Sequence, residues 1–267
     1  MKMRWFKRGL KLLILICVIF GAYKLFRYIN PPAPEVYRIG IDSSWYPLAL
    51  YGKEHNMTAF TIDILYSIAR DQSIRVEVVR TGPRRLIELL DDELVDGILT
   101  SLLPEGGLTD KYYFSDAYYR FGAVLVVRKE DKIHSLEDLV KKRIAIKRSS
   151  PVLYHIHKDN QFTVVPYDNY LMMLQALSDK KVEGIVMDQL LFYLYFGGLY
   201  RDQFKIVTKP MTNEGLRLMT LKENYTEELV EKFNTGLTNI KESGTYDHLL
   251  NEWDIYDPEK IVHDSSS

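Results

Sequence analysis

The chain has 267 residues, 46% of them hydrophobic and 27% charged, which is enough apolar material for a sizeable core in one or two domains and too much for wholesale disorder. Its formal net charge is −1, but residues 1–30 hold seven cations (Lys2, Arg4, Lys7, Arg8, Lys11, Lys24 and Arg27) and no acid, so the remainder carries −8. An acidic body argues against nucleic acid as a partner, and a single cysteine, Cys17, excludes an intramolecular disulfide or a cysteine-based metal site.

Residues 1–11 are basic and Leu12 to Tyr23 almost wholly apolar, the pattern of an export signal. No small-x-small cleavage site follows, and Leu15 and Ile16 are bulky for a lipidated Cys17. A cleaved signal and an uncleaved anchor through residues 1–30 therefore both stand. The positive charge before the apolar run places the body outside the cytoplasm, and residues 31–35 continue a proline-rich, extended spacer.

The folded part opens on Val36–Asp42, a strand ending on an acid, followed by Ser43-Ser44-Trp45-Tyr46-Pro47. Phe60, Ile64 and Ile68 share one face of a predicted helix, Ile74–Val79 alternates as a strand, and Pro83–Leu90 opens a helix with proline at its first position. Gly97-Ile98-Leu99 is a short buried strand, the residues through Gly107 form a loop, and Ala123–Val127 is strongly strand-prone. Ser135–Val140 reads as a capped helix, Arg143–Lys147 as a strand, and Ser149-Ser150-Pro151 as the cap of another helix. Thr163–Pro166, a helix Tyr170–Ser178 capped by Asp168, the strand Val182–Asp188 and an apolar helix through Tyr195 repeat the β-α pattern. Leu216–Leu221 alternates as a strand, and Glu227–Ser243 and Tyr246–Trp253 read as helices. Alternation of this kind predicts an α/β fold with two similarly built lobes.

Asp96-Gly-Ile-Leu99, followed at fixed spacing by Phe114-Ser-Asp-Ala-Tyr-Tyr119, resembles the signature of bacterial extracellular solute-binding proteins of family 3, the polar amino-acid type. Asp42-x-x-Trp45-x-Pro47, the Asp63 helix, Ser135-Leu-Glu-Asp-Leu139, Lys147-Arg-Ser-Ser150, Asp188 and Gly244-Thr-Tyr-Asp247 extend the likeness over residues 36 to 254. The resemblance implies a periplasmic-binding-protein-like type II fold: two α/β lobes, 36–118 plus 217–256 and 123–211, joined by two hinge crossovers, with 257–267 a disordered tail. It implies a non-catalytic, monomeric, periplasmic receptor that needs no cofactor and delivers a small zwitterion such as an amino acid to an ABC permease. A membrane-anchored sensing or scaffolding module and an enzyme similar to cyclohexadienyl dehydratases are the alternatives.

The resemblance assigns Asp188 to the ligand's ammonium and Trp45 to the wall along its carbon skeleton, with Asp42 and Ser101 at strand ends lining the cleft. Plain alternatives are a helix cap for Asp188, core packing for Trp45 and a turn for Asp42. The family's carboxylate-binding arginine is replaced by Leu108, and the hydroxyl five residues earlier by Leu103. Charge chemistry offers substitutes: Lys147, Arg148, Ser149 and Ser150 beside a helix N-terminus, or Arg84 with Arg85. His155 and His157 would not share a helix face, which speaks against a metal site. The sequence holds no Gly-x-Ser-x-Gly elbow, glycine-rich phosphate loop or His-Glu-x-x-His.

Overall fold

The computed structural model describes residues 20–21, 36–45, 50, 52–82, 85–150, 161–196 and 202–257. In chain order the first elements are β1 (Tyr37–Asp42), α1 (Glu54–Asp71), β2 (Val76–Thr81), α2 (Leu86–Asp91), β3 (Gly97–Thr100), α3 (Leu108–Lys111), β4 (Tyr112–Phe114) and β5 (Tyr119–Arg120). After a first crossover come β6 (Ala123–Arg128), a 3-10 turn at Glu137–Leu139, β7 (Arg143–Lys147), β8 (Thr163–Tyr167), α4 (Tyr170–Ser178), β9 (Gly184–Asp188), α5 (Gln189–Phe196) and β10 (Phe204–Ile206). A second crossover leads back to β11 (Gly215–Leu221), α6 (Asn224–Glu242) and α7 (Thr245–Glu252).

Two sheets result. The first runs β2-β1-β3-β11-β4, with β5 also on β11, and the second β10-β6-β9-β7-β8. In the first, β1 is parallel to β2 and β3, while β11 is antiparallel to β3, β4 and β5. Helix α1 buries Met57, Phe60, Ile64 and Ile68 at helical spacing against Leu218 of the sheet and Phe233, Leu237 and Tyr246 of α6 and α7. In the second lobe every residue of β6 is buried, and Val124 and Val126 belong to one apolar cluster, Leu125 and Val127 to the other. A strand covered on both faces needs a continuous apolar run rather than alternation, and Ala-Val-Leu-Val-Val supplies it.

The crossovers lie against one another. Glu214 O accepts from Phe121 N at 3.2 Å, Thr212 Oγ1 from Ala123 N at 2.8 Å, and Ala123 O from Met211 N at 2.7 Å. Their closeness explains Gly122, where a Cβ would stand 2.5 Å from Thr212 O. Helix α5 also touches both lobes: Leu190 packs on the first lobe's core, and the Tyr193 ring stacks on Tyr256 at 3.4 Å between centroids.

Several local expectations are corrected. The helix expected at Ser135–Val140 is a single 3-10 turn, because the chain leaves helical geometry at Val140, whose ψ is 129°. Lys141, at φ 65°, then turns the chain so that its N–H reaches Gln161 O at 2.7 Å. Helix α4 is capped by Asn169, whose Oδ1 accepts from Met172 N at 2.9 Å, and Asp168 turns instead to Arg148. Helix α2 begins at Leu86, so Arg85 precedes its first turn, while Pro83 and Arg84 lie outside the described residues. The loop after β3 contains a short helix, α3, and an edge strand, β4, that the sequence pattern does not signal. The export segment through residue 19, the helix expected after Pro151 and residues 258–267 also lie outside the described residues. No helix among those described is long and apolar enough to cross a membrane.

Candidate functional site

Sheet register brings Asp188 to the hinge. It ends β9 opposite Ala123, the first residue of β6. Its half-buried carboxylate accepts one hydrogen bond, 3.0 Å from Tyr170 OH at the start of α4. No described N–H of α5 donates to it, so Asp188 does not act as that helix's cap. Lys147 Nζ, at the end of β7, lies 5.0 Å from the Tyr170 ring centroid on the same assembly.

Burial raises the Asp188 pKa above the ordinary carboxylate value; the Tyr170 hydroxyl and Lys147 oppose the rise, and Glu214 adds to it. Glu214 belongs to the second crossover, and its Oε2 is buried without a hydrogen-bond partner. Asp188 and Glu214 thus give this end of the hinge a negative character that favours an incoming ammonium.

Across the crossover stands a buried cation, Arg217. It is the register partner of Thr100, the last residue of β3 and the neighbour of half-buried Ser101. Its Nη1 donates to Gly215 O at 3.2 Å and its Nη2 to Asn213 O at 2.6 Å. Burial and the nearby Arg120 lower its pKa, against the fields of Asp116 and Glu214.

Other expected residues have settled elsewhere. Asp42 is buried at the end of β1, where its Oδ1 accepts from Ser44 N at 2.8 Å, a turn-forming bond. Trp45, only 3% exposed, belongs to the first lobe's core and donates Nε1–H to Thr58 Oγ1 at 3.0 Å. Arg148 is exposed and pairs with exposed Asp168 at 3.1 Å. Ser149 and Ser150 form the turn after β7, with Ser150 N donating to Lys147 O. Leu108 packs with Leu102 against the apolar cluster of Ile98, Tyr112 and Met219. Arg84 lies outside the described residues.

Tyr170, Glu214 and Arg217 were not singled out from sequence. Arg217 left one usable sign: a cation within the apolar, alternating run Leu216-Arg-Leu218. Among the described residues no cluster of His, Cys, Asp and Glu could hold a metal ion. The arrangement places a half-buried acid, Asp188, at the hinge with the Tyr170 hydroxyl at 3.0 Å.

Known proteins are similar to this chain in sequence and, among solved structures, in fold. The glutamine-binding protein GlnH of Bacillus subtilis is 26% identical over 206 residues, covering 74% of this chain and 73% of that protein. The arginine-binding extracellular protein ArtP of the same organism is 20% identical, covering 92% of this chain and 98% of the relative. Among solved structures, the unliganded, open L-cystine solute receptor of Neisseria gonorrhoeae superposes with a TM-score of 0.66 at 22% identity, covering 84% of this chain and 95% of that one. The family model for bacterial extracellular solute-binding proteins, family 3, matches residues 37–255, from β1 to just past α7. With its two α/β lobes, paired crossovers and an acid at the hinge, this chain belongs to that family.

Proposed function

We propose that this protein binds a small ammonium-bearing solute of amino-acid type between its lobes, outside the inner membrane, and hands it to an ABC permease. Asp188 carries the reading. It is a half-buried carboxylate at a strand end beside the hinge, held by the Tyr170 hydroxyl, with its ionised form disfavoured by burial. A ligand ammonium relieves that penalty through a charge-assisted hydrogen bond of about 1.5–3 kcal/mol. The GlnH and ArtP names, glutamine- and arginine-binding, point to the same class of solute. The apolar run of residues 12–26 either leads export or stays as an anchor, and the mass of the mature membrane-fraction protein distinguishes the two. Ligand identity is tested by a thermal-shift screen of amino acids, amines and amides followed by isothermal titration. No stabilisation by any of them overturns the reading.

One observation favours a second reading. A cleft acid with a raised pKa is also what a dehydratase on this scaffold requires. Turnover of prephenate or arogenate, lost in Asp188→Asn, would establish it; absence of turnover leaves a binding protein.

A further inference from the structure

A ligand with a free carboxylate needs a cation, and the expected sources among the described residues are packed, paired or exposed. Leu108 is packed into an apolar cluster, Arg148 is exposed and paired with Asp168, and Lys147 lies over the Tyr170 ring. Arg217 differs from all of these. It is 7% exposed, yet among the described residues its guanidinium has no carboxylate within ion-pair distance. A buried charge without a counter-ion is costly, so native proteins pair such groups or reserve them for ligands. Two backbone carbonyls, Gly215 O and Asn213 O, take one donor from each terminal nitrogen and fix the plane of the fork. A guanidinium has five N–H donors, so the rest of the fork is not consumed by these two bonds. Position matters equally: Arg217 pairs with Thr100 at the C-terminal end of β3, where open α/β sheets take their ligands. Glu214 O accepts from Phe121 N, close to Ala123, the register partner of Asp188, and Glu214 adjoins Gly215, whose carbonyl holds Arg217, so the acid and the cation lie at the same end of the hinge.

We propose that Arg217, on β11, is the cation that receives the ligand's carboxylate, taking over from the loop position now filled by Leu108. The proposal rests on the reading of the cleft as an amino-acid site and adds that the ligand keeps a free carboxylate despite Leu103 and Leu108. A planar fork held by two carbonyls suits a carboxylate better than a single point charge does.

The test is isothermal titration of L-arginine, L-glutamine and their carboxamides into the wild type, Arg217→Met, Arg217→Lys and Asp188→Asn. The wild type is expected to prefer at least one free acid over its amide by on the order of 100-fold. Arg217→Met should bring that ratio to near unity while amide binding persists, an outcome that general loosening of the hinge would not give. Should Arg217→Met fail to fold, Arg217→Lys keeps the test open. Its lone ammonium should reduce the acid preference roughly tenfold, since it cannot reproduce the fork. A wild type indifferent to acid and amide, or a ratio unchanged in both Arg217 variants, overturns the proposal. If Asp188→Asn nonetheless abolishes binding in that case, the cleft reading survives alone. If neither these probes nor any amino acid, amine or amide of the thermal-shift screen binds the wild type, both readings fall.

Discussion

At the scale of single residues, Asp188 ties stability to pH. Its pKa is raised mainly by burial, so the folded state favours the protonated form. The resulting contribution to stability is fully present below the unfolded carboxylate value and is lost as pH rises through the folded one. Wherever Asp188 is ionised in the ligand-free protein, burial disfavours that form. Asp188→Asn should raise the melting temperature of the ligand-free protein while abolishing its affinity for ammonium-bearing ligands; a lower melting temperature with affinity intact would assign Asp188 a purely structural role. Wild-type affinity should also fall as pH drops through the raised Asp188 pKa, measured by titration in a pH series. Tyr170 donates to the ionised carboxylate at 3.0 Å. Its replacement by phenylalanine should weaken ligand binding by about tenfold, the worth of one hydrogen bond to a charged group, with little change in fold by circular dichroism.

At the scale of elements, α4 shows which of two adjacent polar residues holds a helix. Asn169 has extended backbone and its side chain accepts from Met172 N, as a cap requires, whereas Asp168 makes an exposed ion pair with Arg148. Asn169→Ala should cost about 1 kcal/mol in urea denaturation. Asp168→Ala should cost less than about 0.5 kcal/mol, because exposed pairs contribute little. Equal losses would mean that Asp168 also supports the helix. At Glu137–Leu139 the Asp138 carboxylate likewise takes the N–H groups of His134 and Ser135, but the backbone turns away at Val140 and Lys141, so only one 3-10 turn forms.

At the scale of the whole molecule, the crossovers and α5 connect the lobes. Gly122 lies so close to Thr212 O that an added methyl needs backbone movement. Gly122→Ala should destabilise by about 1–3 kcal/mol, as overpacking does, and should shift ligand affinity as well as unfolding, because the strain sits in the hinge. A variant of wild-type stability would show that the crossovers move apart readily. Closure itself is a prediction for small-angle scattering: saturation with the true ligand should reduce the radius of gyration, and an unchanged radius argues against hinge closure. The stacked Tyr193–Tyr256 pair places α5, which begins immediately after Asp188, in contact with the first lobe's C-terminal segment. On the proposed reading, the ligand site at Asp188 and the contact between the lobes share one helix.

Sequence alone determined most of the elements and their grouping. Phe60, Ile64 and Ile68 announced the buried face of α1, Arg143–Lys147 the limits of β7, and the acid after an apolar strand marked Asp188. It also showed that Leu108 cannot bind an anion. These features are local, with a period of two or of 3.6 residues, or a single side chain's chemistry. Only the tertiary structure placed Trp45 in the core, gave Asp168 to Arg148, and aimed the Tyr170 hydroxyl at Asp188. It alone returned the chain from the second lobe so that β11 entered between β3 and β4, setting Arg217 beside Thr100. Those pairings join segments more than a hundred residues apart. They follow from closing both sheets around their cores, and periodicity within one segment carries no record of which distant strand will lie next to it.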